Sequence, residues 1–140
     1  MEQTTRYGFS IPVTLGYQEA LAETRKQLGL EGFGILTEID VAKTLRQKLG
    51  VDFRPYTILG ACNPPLAHRA LLAELDIGLL LPCNLVVYAG DEPGTSVVGA
   101  MDPLEALALT ENEEISPVAL EVRQRLERVL TGIAAGGAAG

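Results

Sequence analysis

The chain has 140 residues, of which 47% are hydrophobic and 5% aromatic, and its net charge is −7 at pH 7. This length fits one domain with a single core of Leu, Val, Ile and Ala. The negative charge argues against nucleic acid and anionic membranes as partners, because clustered Lys and Arg contact phosphate groups. No apolar run approaches the roughly 20 residues of a membrane span, and no signal peptide is visible. We therefore expect a cytoplasmic protein.

Alternating apolar residues and turn signals predict five strands, and helix caps or prolines predict the helices between them. The predicted strands cover residues 4–13, 33–41, 55–62, 83–88 and 95–101. The predicted helices start at Thr14, Asp40, Asn63, Asp102 and Ser116. Gly29 and Gly50 are the predicted ends of the first two helices, since glycine readily follows a helix.

This order of elements predicts an α+β fold with one antiparallel sheet of about five strands and helices mainly on one face. The other face of such a sheet is solvated, holds a ligand or pairs with a second subunit. Residues 85–88 are apolar on both faces of their strand, so we expect a homodimer. Residues 1–133 form the predicted domain, and the Ala- and Gly-rich residues 134–140 a flexible tail.

Four short motifs occur in a specific order along the chain. They are Gly-Ile-Leu-Thr-Glu-Ile-Asp-Val at 34–41, Leu-Gly-Ala-Cys-Asn-Pro at 59–64, Ala-His at 67–68, and Ile-Gly-Leu-Leu-Leu-Pro-Cys-Asn at 77–84. With these motifs the chain resembles the DUF302 family, a domain family of unknown function, up to about Gly132. The resemblance implies a fold similar to the TATA-binding-protein-like class, strand-helix-four strands-helix, often as homodimers. The extra short helices depart from that pattern, and the resemblance implies no reaction.

The two cysteines are the best candidates for chemistry. Cys62 closes a predicted strand just before a helix N-terminus, where anions are favoured, and Cys83 opens the next strand. If those strands are antiparallel neighbours, both sulfurs lie at the same edge of the sheet. They could then exchange disulfides, carry sulfur or bind a soft metal. Free cysteines are also among the most buried residues, so inert packing is the favoured interpretation.

Polar residues beside the cysteines are the candidates for a ligand site. Glu38 and Asp40 share one strand face, where a carboxylate pair could bind a hard metal or act as acid and base. Asp40 is better explained as a helix N-cap, as is Asn63, and Asn84 holds backbone near a strand start. The predicted ligand-binding residues are Glu38, Asp40, Cys62, Asn63, Cys83 and Asn84.

His68 is the only histidine and lies on the predicted helix that follows Cys62, six positions beyond it. A soft-metal site of Cys62, Cys83 and His68 is one alternative, although a surface histidine is the simpler explanation. No nucleotide-binding or zinc-helix motif is present, so no cofactor is expected. The sequence thus predicts a homodimeric small-ligand binding module with a cleft near Cys62, Cys83 and Glu38. The alternative is a thiol-dependent enzyme or sulfur carrier that uses Cys62 and Cys83.

Overall fold

The structure is a computed structural model that describes residues 5–139, with side chains as far as residue 136. Its centre is a five-stranded sheet in the order β1-β5-β4-β3-β2, and all neighbouring strands are antiparallel. The strands are β1 (Gly8–Val13), β2 (Gly34–Asp40), β3 (Tyr56–Cys62), β4 (Cys83–Ala89) and β5 (Ser96–Met101). The predicted α+β class and its single antiparallel sheet are therefore confirmed.

Helices lie between and after the strands. The α-helices are α1 (Tyr17–Leu30), α2 (Val41–Leu49), α3 (Pro64–Ala73), α4 (Pro103–Leu107) and α5 (Ser116–Ala139), and Leu75–Leu80 and Ala108–Thr110 are short 3₁₀ helices. The succession β1, α1, four strands and α5 follows the strand-helix-four strands-helix pattern, to which α2, α3 and α4 are additions. Within residues 5–139, no helix is both long and apolar enough to cross a membrane.

The two sheet faces differ in cover. On the helix face, alternate strand residues such as Phe9, Leu59, Leu85 and Val98 are fully buried beneath α1 and α5. We call the other side the open face, and its apolar residues are only half-buried or exposed. They include Ile39, Tyr56, Ile58, Val86, Tyr88 and Val97. The core therefore lies on one side of the sheet.

The end of α1 differs from the prediction. Gly29 stays inside the helix, and Gly32, with φ +83°, adopts the left-handed conformation that ends it. The Gly32 N–H donates to Gly29 O at 3.1 Å and the Phe33 N–H to Leu28 O at 2.9 Å, which together form a Schellman motif. The start also differs, because Gly16 rather than Thr14 occupies the N-cap position.

The last helix extends beyond the predicted domain boundary. The backbone of α5 is helical through Ala139, which includes most of the Ala- and Gly-rich segment. Residue 140 lies outside the described residues, and the flexibility of the tail remains a prediction.

Candidate functional site

A cavity of about 350 Å³ lies at the end of the sheet where β3 leads into α3 and β4 begins. We call it the α3 cavity, because one side of α3 forms much of its wall. Its walls are almost entirely apolar, and the larger side chains are Phe33, Leu36, Leu66, Leu81, Leu107 and Val122. Ala61, Ala67 and Ala70 also line it, and such short side chains leave the space unfilled.

Both cysteines line this cavity. Ala61 of β3 is paired with Cys83 of β4, so Cys62 lies one position beyond the pair on the neighbouring strand. Both are free thiols; Cys62 is half-buried, whereas the Cys83 residue is only 5% exposed. The antiparallel pairing on which their proximity depended is thus present. As the sequence predicted, both cysteines lie at the same end of these two neighbouring strands.

Burial keeps the Cys83 thiol protonated even above neutral pH. It raises the pKa of the Cys83 thiol from 9.0 to about 11, and the neighbouring Cys62 adds to the shift. The charged thiolate is disfavoured in apolar surroundings because it loses hydration there. Cys83 is therefore a neutral thiol at pH 7, and a neutral thiol is a poor nucleophile.

Asn63 lies in the cavity wall, but its amide is already engaged. The Asn63 Oδ1 atom accepts from the Leu66 N–H at 3.3 Å and so caps α3. Its Nδ2 atom donates to Glu31 O at 3.4 Å, and the Arg125 guanidinium donates to the same oxygen at 2.8 Å. The cap interpretation from sequence is confirmed, and this amide ties α3 to the end of α1.

The structure places the two carboxylates away from the cysteines. Glu38 is opposite Leu59 and Asp40 opposite Thr57, so both are on the helix-face side of the edge strand β2. Glu38 forms an ion pair with Arg25 of α1. Asp40 accepts from the Lys43 N–H at 2.9 Å and caps α2, as the cap interpretation predicted. Neither lines the α3 cavity, so the expected grouping of Glu38 with the cysteines does not occur.

His68 and Asn84 are also outside the α3 cavity. His68 is exposed on α3, and residues 5–139 contain no group of three or more His, Cys, Asp or Glu that could hold a metal ion. Asn84 is exposed on the open face, where it lines a separate groove of about 400 Å³ with Tyr56 and Tyr88. Neither residue joins Cys62 and Cys83 as a third ligand.

Sequence reasoning missed most of the cavity wall. Ala67, Ala70 and Leu71 lie on one side of α3 and line the cavity, and the sequence does not show that space is left beside them. Leu36 was also missed; it lies at a register shift between Ile35 and Thr37 of β2. A β-bulge can re-aim a side chain in this way, and no local signal marks it. The only available signal was the unusually small size of the residues on one face of α3.

Comparisons with known proteins agree with this fold. The family model "Domain of unknown function DUF302" matches residues 9–133. The chain belongs to the DUF302 family. An uncharacterised conserved DUF302 protein from Bacillus stearothermophilus, whose crystal structure is known, shares 32% sequence identity with this chain. The two structures match with a TM-score of 0.84 over 92% of this chain and 99% of that one. No curated protein matches the chain. The comparisons thus establish the family, and the description of that family names no activity.

Proposed function

We propose that this DUF302 protein is a binding module that holds a small, uncharged, apolar molecule in the α3 cavity. The observation that carries the proposal is the unfilled volume of about 350 Å³ behind almost wholly apolar walls. Ligand pockets commonly start at about 300 Å³ and combine apolar walls with few polar groups. Here those groups are the thiols of Cys62 and Cys83 and the Asn63 amide.

The size and walls of the cavity limit the ligand. A water molecule occupies about 30 Å³ in the liquid, so the cavity has room for about eleven or twelve waters and suits a molecule of about ten to twelve heavy atoms. An ionised carboxylate or amine would lose its hydration without gaining a charged partner, because no Asp, Glu, Lys, Arg or His lines the cavity among the described residues. A bicyclic aromatic or a short branched hydrocarbon fits both limits.

The thiol-dependent enzyme is the weaker alternative. Its chemistry needs a thiolate, and the raised pKa of Cys83, about 11, keeps this sulfur protonated near pH 7. A neutral thiol is instead a small, polarisable wall group that packs well against an apolar ligand. Cys83 therefore supports binding rather than catalysis.

The protein in this proposal is a homodimer that pairs through the open face. Ile39 is 47% exposed there, and Ile58, Val86 and Val97 are only half-buried. Tyr56 and Tyr88 stack at 5.2 Å on the same face and extend its apolar area. An antiparallel sheet with one apolar, uncovered face gains stability when a second copy covers it.

Naphthalene is a suitable probe of the cavity, because it has ten carbon atoms and fluoresces. We expect saturable, one-to-one binding to the wild type and binding at least about tenfold weaker for 2-naphthoate, which carries a carboxylate. Ala67→Phe should abolish binding by filling the cavity from α3. Ala22→Phe, at an exposed position of α1, is the matched control and should bind normally. Equal binding by both variants would contradict the proposal.

Dimerisation is tested separately by sedimentation. Val86→Glu places a charge at the centre of the open face and should convert the dimer to a folded monomer. Val51→Glu, at a position 45% exposed outside the strands, should leave the dimer intact. A monomeric wild type at micromolar concentration would refute this part of the proposal.

A further inference from the structure

The two thiols of the α3 cavity are close enough to be joined. Neighbouring strands lie about 4.8 Å apart and rise about 3.3 Å per residue, so residues one position out of register have Cα atoms about 5.8 Å apart. Cys62 and Cys83 have this relationship, because Cys83 is paired with Ala61. The Cα separation of disulfides is usually between about 4.4 and 6.8 Å. The backbone spacing therefore permits a disulfide.

Side-chain direction also permits it. In a regular sheet, residues one position out of register point to opposite faces. Cys62 is the last residue of β3, where it is paired with Gly34 of β2, and the chain leaves the sheet at the next residue, the Asn63 cap. At this strand end both cysteines line the same cavity. The influence of Cys62 on the pKa of Cys83 is a second indication that the sulfurs are near one another.

We propose that Cys62 and Cys83 form a reversible disulfide that closes the α3 cavity when the protein meets a hydroperoxide. This regulation rests on the proposed binding function. The half-buried Cys62 is the accessible thiol, whereas Cys83 is enclosed. Cys62 is therefore the sulfur that meets the oxidant, and Cys83 is the resolving thiol.

The reaction has two steps. The Cys62 sulfur attacks the O–O bond of the hydroperoxide, which gives Cys62 sulfenic acid and releases the alcohol, or water if the oxidant is hydrogen peroxide. The small thiolate fraction of Cys83 then attacks the sulfenic sulfur and displaces hydroxide, which combines with the proton that Cys83 released and leaves as water. Two electrons pass from the two thiols to the peroxide bond. A dithiol reductant reverses the change by thiol–disulfide exchange.

The bond changes the shape of the binding site. An S–S distance of about 2.05 Å is far shorter than a non-bonded sulfur contact. Forming it draws the Cys62 side chain from the cavity rim towards the enclosed Cys83 sulfur. It also joins the end of β3, one residue before the Asn63 cap of α3, covalently to the start of β4. We therefore expect the oxidised protein to bind an apolar ligand more weakly.

The test uses full-length protein treated with hydrogen peroxide, with two separate readouts. Mass spectrometry after unfolding should show the loss of two hydrogen masses and no alkylation of either cysteine, and a non-reducing gel should show a single chain. Naphthalene affinity should fall at least about tenfold and recover with dithiothreitol. Cys62→Ser and Cys83→Ser cannot form the bond, so peroxide should not change the naphthalene affinity of either variant relative to its own untreated sample.

The outcomes separate the two proposals. Two alkylatable thiols after peroxide, or chains cross-linked to each other, would refute the disulfide whether or not naphthalene binds. An intramolecular disulfide with unchanged naphthalene affinity would refute the closure of the cavity. Failure of the reduced wild type to bind naphthalene would refute the proposed function and the regulation that depends on it, while the mass measurement would still decide the disulfide.

Discussion

Replacing Gly32 with Ala should destabilise the protein more than the same change at Gly50, although both glycines follow helices in the left-handed conformation. Gly32 has φ +83° and Gly50 φ +67°. A Cβ atom at Gly50 meets nothing within 4 Å. At Gly32 it would lie 3.0 Å from Asn63 Nδ2 and 3.6 Å from Arg125 Nη1. Both substitutions therefore place a side chain in the left-handed backbone conformation, and only Gly32→Ala also brings the new methyl group close to Asn63 and Arg125.

The magnitudes follow from these two contributions. A side chain in the left-handed conformation costs about 1–2 kcal/mol, which is the expected loss for Gly50→Ala. At Gly32 the added methyl also displaces the Asn63 amide, which donates to Glu31 O at 3.4 Å, and crowds Arg125, which donates to the same oxygen at 2.8 Å. Each hydrogen bond contributes about 1 kcal/mol. We expect Gly32→Ala to cost about 2–4 kcal/mol in total.

Urea unfolding of the wild type and both variants measures the difference. The free energy of unfolding of Gly32→Ala should be lower than that of Gly50→Ala by about 1–2 kcal/mol. Equal losses would mean that the Asn63–Glu31–Arg125 contacts contribute nothing to stability, and the argument that they fix α3 beside the cavity would be wrong.

Two further predictions concern buried ionisable groups. Because the pKa of Cys83 is raised from 9.0 to about 11, the folded state keeps a proton that the unfolded state loses, so its stabilising contribution falls as pH rises through this range. Between about pH 8 and about pH 10.5, Cys83→Ala should therefore lose roughly 2 kcal/mol less unfolding free energy than the wild type; equal losses would contradict this assignment. Arg123 contacts the almost buried Asp102 at 2.5 Å, so Arg123→Ala should cost about 3 kcal/mol in urea unfolding. Arg46→Ala removes an exposed pair with Asp52 and should cost less than about 1 kcal/mol; similar losses for the two variants would refute the role of burial.

Local patterns were sufficient to predict the sheet. The alternation in residues 33–41 corresponds to β2 at Gly34–Asp40, and the predicted strand at 83–88 to β4 at Cys83–Ala89. The helix N-caps at Asp40 and Asn63 could also be predicted, because such a cap depends on residues only three positions apart. Each of these features is fixed by neighbours in sequence.

Features that depend on contacts between residues far apart in the sequence could not be predicted from it. The predicted end of α1 at Gly29 is wrong, and the end at Gly32 accompanies the contacts of Glu31 O with Asn63 and Arg125. The face on which Glu38 lies depends on its pairing with Leu59, which places it beside α1 rather than beside the cysteines. Helical periodicity likewise shows that the Ala-rich side of α3 points inwards, but not that the space before it is unfilled.

The most direct test of the central claim is to locate a bound apolar molecule. Isotope-filtered nuclear Overhauser spectra of the labelled protein with unlabelled naphthalene would identify the methyl groups that contact the ligand. The account predicts contacts to Ala67, Ala70 and Leu66, which line the α3 cavity. Contacts to Ile58 and Val86 instead would place the ligand on the open face and contradict the account.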